Sequence, residues 1–132
     1  MTEAELEALA ISRGGKVTRM AQAPETAPCG PALDCSEKEF HAAVIEAATK
    51  RGWTHYHTWR SDKSDKGWPD LVLARRGFNY HIPGRIIFAE LKSETGKMTE
   101  DQTEWCALIL AARQEYYVWR PSNWSLILEI LR

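Results

Sequence analysis

The chain has 132 residues, with 17 Lys+Arg against 18 Asp+Glu, 44% hydrophobic residues, 6 Trp and 3 Cys. That length suits one domain, burying roughly 65–70% of the surface its unfolded form would expose, and the aromatic content excludes wholesale disorder. A formal net charge of -1 excludes a uniformly basic surface, but residues 1–49 hold 4 Lys+Arg and 8 Asp+Glu, residues 50–97 hold 10 and 5, and residues 98–132 hold 3 and 5, so acidic ends mask a basic middle third.

Apolar runs such as Ile86 to Ala89 fall far short of the roughly 20 residues that cross a bilayer, and the acidic start lacks the order of a signal peptide. No membrane partner and a cytoplasmic location, bacterial or in a phage-infected host, are therefore expected. Cys29, Cys35 and Cys106 cannot all pair and contain no CxxC, which points to reduced thiols. Cys29 and Cys35 with His41 match no zinc-binding pattern.

In chain order, residues 2–12 suit a short helix with Leu6, Leu9 and Ala10 on one side, and residues 20–34 form an Ala/Pro-rich stretch without apolar period. Residues 1–35 thus read as an extension and 36–132 as the folded domain. Ser36 and Glu39 have the S-x-x-E spacing of a capping box, which opens a helix to about residue 51 with Phe40, Val44, Ala47 and Ala48 at helical spacing. Trp53 to Trp59 favours a strand, in which His55 and His57 share a face. Residues 60–69 are too polar for a core and read as a loop. Further strands are expected over 70–74 and 85–92, joined by a turn at 76–84. Thr99 and Gln102 cap a helix to about residue 113, with Trp105, Leu108, Ile109 and Ala112 as its expected buried side. A strand at 116–119 and a last helix after Pro121, with Trp124, Ile127, Leu128 and Leu131 facing inward, complete the order α-β-β-β-α-β-α, a mixed α/β sheet flanked by helices.

The chemistry concentrates in Gly67-Trp68-Pro69-Asp70 and, after a gap of 19 residues, Glu90-Leu91-Lys92. Residues two apart on a strand share a face, so Glu90 and Lys92 project together while Leu91 points the other way. If the strands flanking the 76–84 turn pair, Asp70 lies beside Glu90. Two carboxylates and the Leu91 carbonyl make a hard oxygen site suited to Mg²⁺ or Mn²⁺. Such an ion and a nearby ammonium suit phosphodiester hydrolysis.

At these residues the chain resembles the PD-(D/E)xK nuclease superfamily and, within it, the virus-type replication-repair nuclease (VRR-NUC) family. The resemblance runs from Ser36 to about Pro121, through EKEFHAAV (37–44), GWPDLVL (67–73), FAELK (88–92), TEDQ (99–102) and VWRP (118–121). It implies a restriction-endonuclease-like fold and a Mg²⁺- or Mn²⁺-dependent DNA endonuclease acting on branched DNA such as four-way junctions, in replication, recombination or repair, as a homodimer. Carried over, Asp70 and Glu90 bind the metal, Lys92 is the catalytic lysine, Glu37 supports the metal shell and Gln102 stands near the active site. His41 occupies a position where the family often has Gln.

Each assignment has a plainer rival. Glu90 and Lys92 alone would read as a surface ion pair. Glu37 competes with Glu39 and with the general preference for acids in a first helical turn, and Gln102 fits its own cap. Arg60, Lys63, Lys66 and Lys97, with Arg75, Arg76 and Arg85, form either a solvated face or a phosphate-binding rim. Trp68 is the tryptophan placed to stack on an unpaired base. A nucleic-acid-binding module that keeps the fold without turnover is the alternative function.

Overall fold

The computed structural model describes residues 30–58 and 65–132. The expected helix at 2–12, most of the Ala/Pro-rich stretch, Cys29, Trp59, Arg60 and Lys63 lie outside the described residues. Within them run helix α1 (Glu37–Lys50), strands β1 (Thr54–His57), β2 (Leu71–Arg75) and β3 (Arg85–Leu91), helix α2 (Glu100–Ala111), strand β4 (Glu115–Trp119), a 3-10 turn (Pro121–Asn123) and helix α3 (Trp124–Leu131). The expected order of elements is observed, and the protein is mixed α/β. Among the described residues no helix is long and apolar enough to cross a membrane.

The sheet order is β1-β2-β3-β4. β1 to β3 pair antiparallel in chain order, whereas β3 and β4 pair parallel, because the chain crosses over through α2 before returning to the sheet. Alternation along the strands divides the core. Leu71, Leu73, Ile87, Ala89 and Leu91 pack with Phe40 and Val44 of α1 and Ile127 and Leu131 of α3. On the opposite face, Cys106, Ile109 and Leu110 of α2 cover Tyr116 and Val118, with Phe88 against them. Glu90 and Lys92 share the face of Phe88, so they enter the layer between the sheet and α2.

Both predicted capping boxes form. Glu39 N–H donates to Ser36 Oγ at 3.1 Å and Ser36 N–H to Glu39 Oε2 at 3.1 Å, which opens α1. Gln102 N–H donates to Thr99 Oγ1 at 3.2 Å and Thr99 N–H to Gln102 Oε1 at 2.9 Å, which opens α2.

Two expectations are corrected, for α2 and for two arginines, and β1 takes an exposed place. The buried stripe of α2 is Cys106, Ile109 and Leu110, while Leu108 is 51% exposed and Ala112 lies at the surface. The positions four, seven and eight residues after Gln102 face the sheet, on the same side from which Gln102 reaches Glu90. Strand β1 is an edge with little cover, on which Thr54, His55 and Tyr56 are exposed; the rings of His55 and His57 stack on each other at 6.1 Å. Arg75 and Arg85 belong to the fold rather than to a phosphate rim. Arg75 donates to the carbonyls of Leu131 and Arg132, Arg85 forms a paired bridge to Glu115 and donates to Ile130, and both stand over the Trp53 ring. Together they fasten the C-terminal helix to the start of the sheet's central pair.

Candidate active site

The β2–β3 register decides the site. Leu71 pairs with Ala89 and Arg75 with Arg85, so the residue before Leu71 and the residue after Ala89 stand side by side at the far end of the ladder. These are Asp70 and Glu90. Asp70 Oδ2 accepts the Leu91 N–H at 3.0 Å. The N–H and C=O of one residue in an antiparallel ladder point to the same flank, so the Leu91 carbonyl faces the Asp70 side as well. On its other flank, the Lys92 N–H donates to the Trp119 carbonyl at 2.9 Å, which carries the β3–β4 pairing one residue past the strand.

Glu90 is 1% exposed and Lys92 8%, values that end the reading of the two as a surface ion pair. Lys92 Nζ stands 4.0 Å from Glu90 Oε1, and Gln102 Nε2 donates to the same oxygen at 3.1 Å. Gln102 therefore serves both the helix cap and the acid, because its amide carries an acceptor and donors at once. The second oxygen, Glu90 Oε2, is buried and meets no N–H or O–H donor, and the Asp70 carboxyl lies close enough to share a proton with the acid. Burial first, and then the neighbouring Asp70 carboxyl, push the Glu90 pKa far above the usual carboxylate range; the Lys92 ammonium pulls it down by less, and Glu37 adds a small upward push. Beneath the acid, burial also raises the Cys106 thiol to about 11 and the Tyr116 hydroxyl well above its usual value, so both are neutral and form a wall of low polarity.

Two carboxyl groups held this close, one of them buried, are not both ionised unless a proton or a cation stands between them. Among the described residues no three His, Cys, Asp or Glu side chains are grouped as a metal cluster; the oxygen donors that could face a cation here are the two carboxylates and a main-chain carbonyl. That set fits a hard cation that keeps part of its water shell, as Mg²⁺ does, and does not fit structural zinc.

Other expected residues fall around this centre. Glu37 is exposed on the first turn of α1 and reaches Glu90 only through its charge, while Glu39 is occupied by the cap. His41 Nε2 lies 4.0 Å from Asp70 Oδ2. Lys66 and Lys97 are exposed and both adjoin the N-terminal end of α2. Trp105 Nε1 donates to the Lys66 carbonyl at 3.1 Å, and Lys97 lies two residues before the cap Thr99.

Gly67 is built into this junction. Its φ is +85°, and a Cβ there would lie 2.3 Å from the Asp101 carbonyl carbon and oxygen and 2.7 Å from Gln102 N. The glycine lets the loop before Asp70 touch the start of α2, bringing Asp70 and Gln102 to one place. Trp68 is half-buried on the α2 side of the sheet. It packs edge-on against Trp105 at 5.0 Å and Phe88 at 5.9 Å, because the approach forced by Gly67 turns it onto the α2 side of the sheet.

Sequence reasoning assigned no role to Arg120. Its Nη1 donates to the carbonyls of Ser93 at 2.8 Å and Gly96 at 2.6 Å, so it holds the turn that follows Lys92. The available signal was its place in VWRP (118–121), immediately after the strand that pairs with Glu90-Leu91.

No protein-family model, curated protein or solved structure matches this chain. The reading of the site rests on its residues and their geometry.

Proposed function

We propose that this protein is a Mg²⁺- or Mn²⁺-dependent DNA endonuclease of the PD-(D/E)xK type, with the restriction-endonuclease-like fold and the VRR-NUC relationship that its motifs resemble. One observation carries the reading: Asp70, the Leu91 backbone, Glu90 with its buried Oε2, and the Lys92 ammonium converge at one end of the β2–β3 ladder. A purely structural role gives no reason to keep two adjacent acids, one of them buried, since the arrangement costs stability. A cation site explains it.

In this reading Asp70, Glu90 and the Leu91 carbonyl hold the metal, and Glu37 adds negative charge to its outer shell. When bound, the ion supplies Lewis-acid polarisation of the phosphate and lowers the pKa of the attacking water. The chain's own residues position the reactants. Gln102 fixes one Glu90 oxygen and leaves the other for the cation. Lys92 directs an ammonium toward the acids, where it orients the attacking water and offsets the charge that develops on the phosphate. Lys66 and Lys97 supply backbone phosphate contacts beside the start of α2, and Arg60 and Lys63 are assigned the same role from the sequence; such contacts read shape rather than sequence.

A homodimer suits a branched substrate of two-fold symmetry, because one active site cannot cut two opposed strands without moving. Phe78 at 83% and Tyr80 at 104% exposure, on the β2–β3 turn, supply apolar surface of the kind that a second copy covers.

The test is an assay on linear, flapped and four-way DNA with Mg²⁺, Mn²⁺ or EDTA. Metal-dependent cleavage supports the reading. Tight binding without cleavage on any substrate replaces it with a non-catalytic nucleic-acid-binding module, and neither binding nor cleavage removes both.

A further inference from the structure

Strand β3 ends at Leu91 and the ladder holds the chain only through the Lys92 N–H. Lys92 therefore stands at the point where sheet pairing stops fixing the backbone, yet its long side chain must keep an ammonium beside Glu90. The next four residues form a tight turn. Gly96 N–H donates to the Ser93 carbonyl at 3.3 Å and to Ser93 Oγ at 3.0 Å. The turn also walls in Lys92, since a Cβ on Gly96 would lie 3.7 Å from Lys92 Cδ.

Arg120 holds this turn from the neighbouring strand. Its Nη1 reaches the carbonyls at both ends of the turn, Ser93 and Gly96, while its own N–H donates to Asn123 Oδ1 at 2.8 Å. Trp119, the residue before it, receives the Lys92 N–H. A second tie comes from Ser122 N–H to Glu94 Oε2 at 3.0 Å. One strand end thus grips Lys92 through its amide and the following turn through a guanidinium.

We infer that Arg120 is a positioning residue for Lys92, acting through the Ser93–Gly96 turn and touching neither metal nor DNA. The inference rests on the nuclease reading above and extends it to a residue outside the converging acids. Without the guanidinium, the two carbonyls lose their shared donor, the turn loosens, and the Lys92 side chain gains conformers that point its ammonium away from Glu90. Misplacement of a reacting group by about 1 Å costs on the order of 10²-fold in rate, whereas saturating Mn²⁺ keeps the metal in place and the exposed lysines, not Lys92, set DNA binding.

The experiment compares wild type, Arg120→Ala and Arg120→Lys under saturating Mn²⁺. It measures kcat and KM on the best cleaved DNA and, on metal-free protein, the rate at which an N-hydroxysuccinimide ester acylates Lys92, read by mass spectrometry. For Arg120→Ala the expected result is a kcat lower by about 10²-fold with KM changed by less than about 3-fold, faster Lys92 acylation, and partial recovery of kcat with added methylguanidinium. Arg120→Lys, which retains the charge and part of the bonding and keeps the test open if the alanine variant unfolds, falls between. An unchanged kcat, a loss confined to KM, or Lys92 acylation at the wild-type rate in folded variants overturns the inference while leaving the nuclease reading intact. If the wild type cleaves no DNA, the nuclease reading fails and the inference falls with it.

Discussion

Asp70, one residue ahead of β2, accepts the main-chain N–H of Leu91 on β3 at 3.0 Å. The contact spans 21 positions of sequence, lies just past the Leu71↔Ala89 pair that ends the ladder, and aligns a carboxylate with the flank on which the Leu91 carbonyl lies. Asp70→Asn is therefore expected to keep the fold, since the amide oxygen still accepts that N–H, while losing the charge that holds a cation. Cleavage should drop by more than about 10³-fold, as for removal of a major electrostatic contributor, and the Mn²⁺-induced rise in melting temperature should vanish. Lys92→Met should lose cleavage but keep the Mn²⁺ response. A Lys92→Met protein blind to Mn²⁺ would place the lysine in the wrong role.

Glu90 couples pH to stability. Its folded pKa is raised above the unfolded value, chiefly by burial, so between those two values the folded state binds more protons than the unfolded one. Stability of the metal-free protein therefore falls as pH rises above the ordinary carboxylate range. Glu90→Gln should remove that slope and stabilise the metal-free protein at neutral pH by about 1–3 kcal/mol, the scale of relieving a badly partnered buried polar group, while abolishing cleavage. Melting curves from pH 5 to 8.5 give the answer, and a variant less stable than wild type at pH 8 would contradict it.

The same proton opposes the cation. Metal binding must displace it from Glu90, so apparent Mn²⁺ affinity should rise with pH by roughly tenfold per unit wherever one proton is released. Isothermal titration in two buffers of different ionisation enthalpy would count the protons. Affinity that is flat from pH 6 to 8 would place the metal away from Glu90.

Gly67 should resist substitution. Gly67→Ala places a methyl group against the backbone of Asp101 and Gln102 at a positive φ, a conformation that alone costs about 1–2 kcal/mol for an L-residue. Chemical denaturation should show a loss of at least that size. Cleavage should fall further than stability predicts, because Asp70 and Gln102 no longer meet at one place.

The exposed lysines and the arginines of the C-terminal staple should separate in binding experiments. Lys66→Ala with Lys97→Ala should weaken DNA binding alike for all sequences and lower the salt slope by about 2, one for each phosphate that is no longer neutralised. Arg85→Gln, which breaks the bridge to Glu115 at 2.7 Å, should lower stability and leave that slope unchanged. A fall in the salt slope with Arg85→Gln would return that residue to the DNA-facing surface.

Local patterns made much of this protein legible before its structure. The two capping boxes, the alternation of β3 and the turn at 76–84 depend on neighbours a few residues apart, and they sufficed for the element order and for Asp70, Glu90 and Lys92 as candidates. The phase of α2 was not legible, because Trp105, Leu108, Ile109 and Ala112 form as good an apolar stripe as the one that is buried. The two share Ile109, and packing against Tyr116 and Val118 of β4 buries Cys106 and Leu110 in place of Leu108 and Ala112. Arg75 and Arg85 likewise look the same in sequence as Lys66 and Lys97; only the return of α3 to the sheet gave them carbonyls and Glu115 to bind. The sequence alone determined which groups could do chemistry, since residue type and spacing set charge and facing. The tertiary structure decided which of those groups are buried together, because desolvation, the pairing of Glu90 with Asp70 and the clamp from Arg120 arise only where distant strands meet.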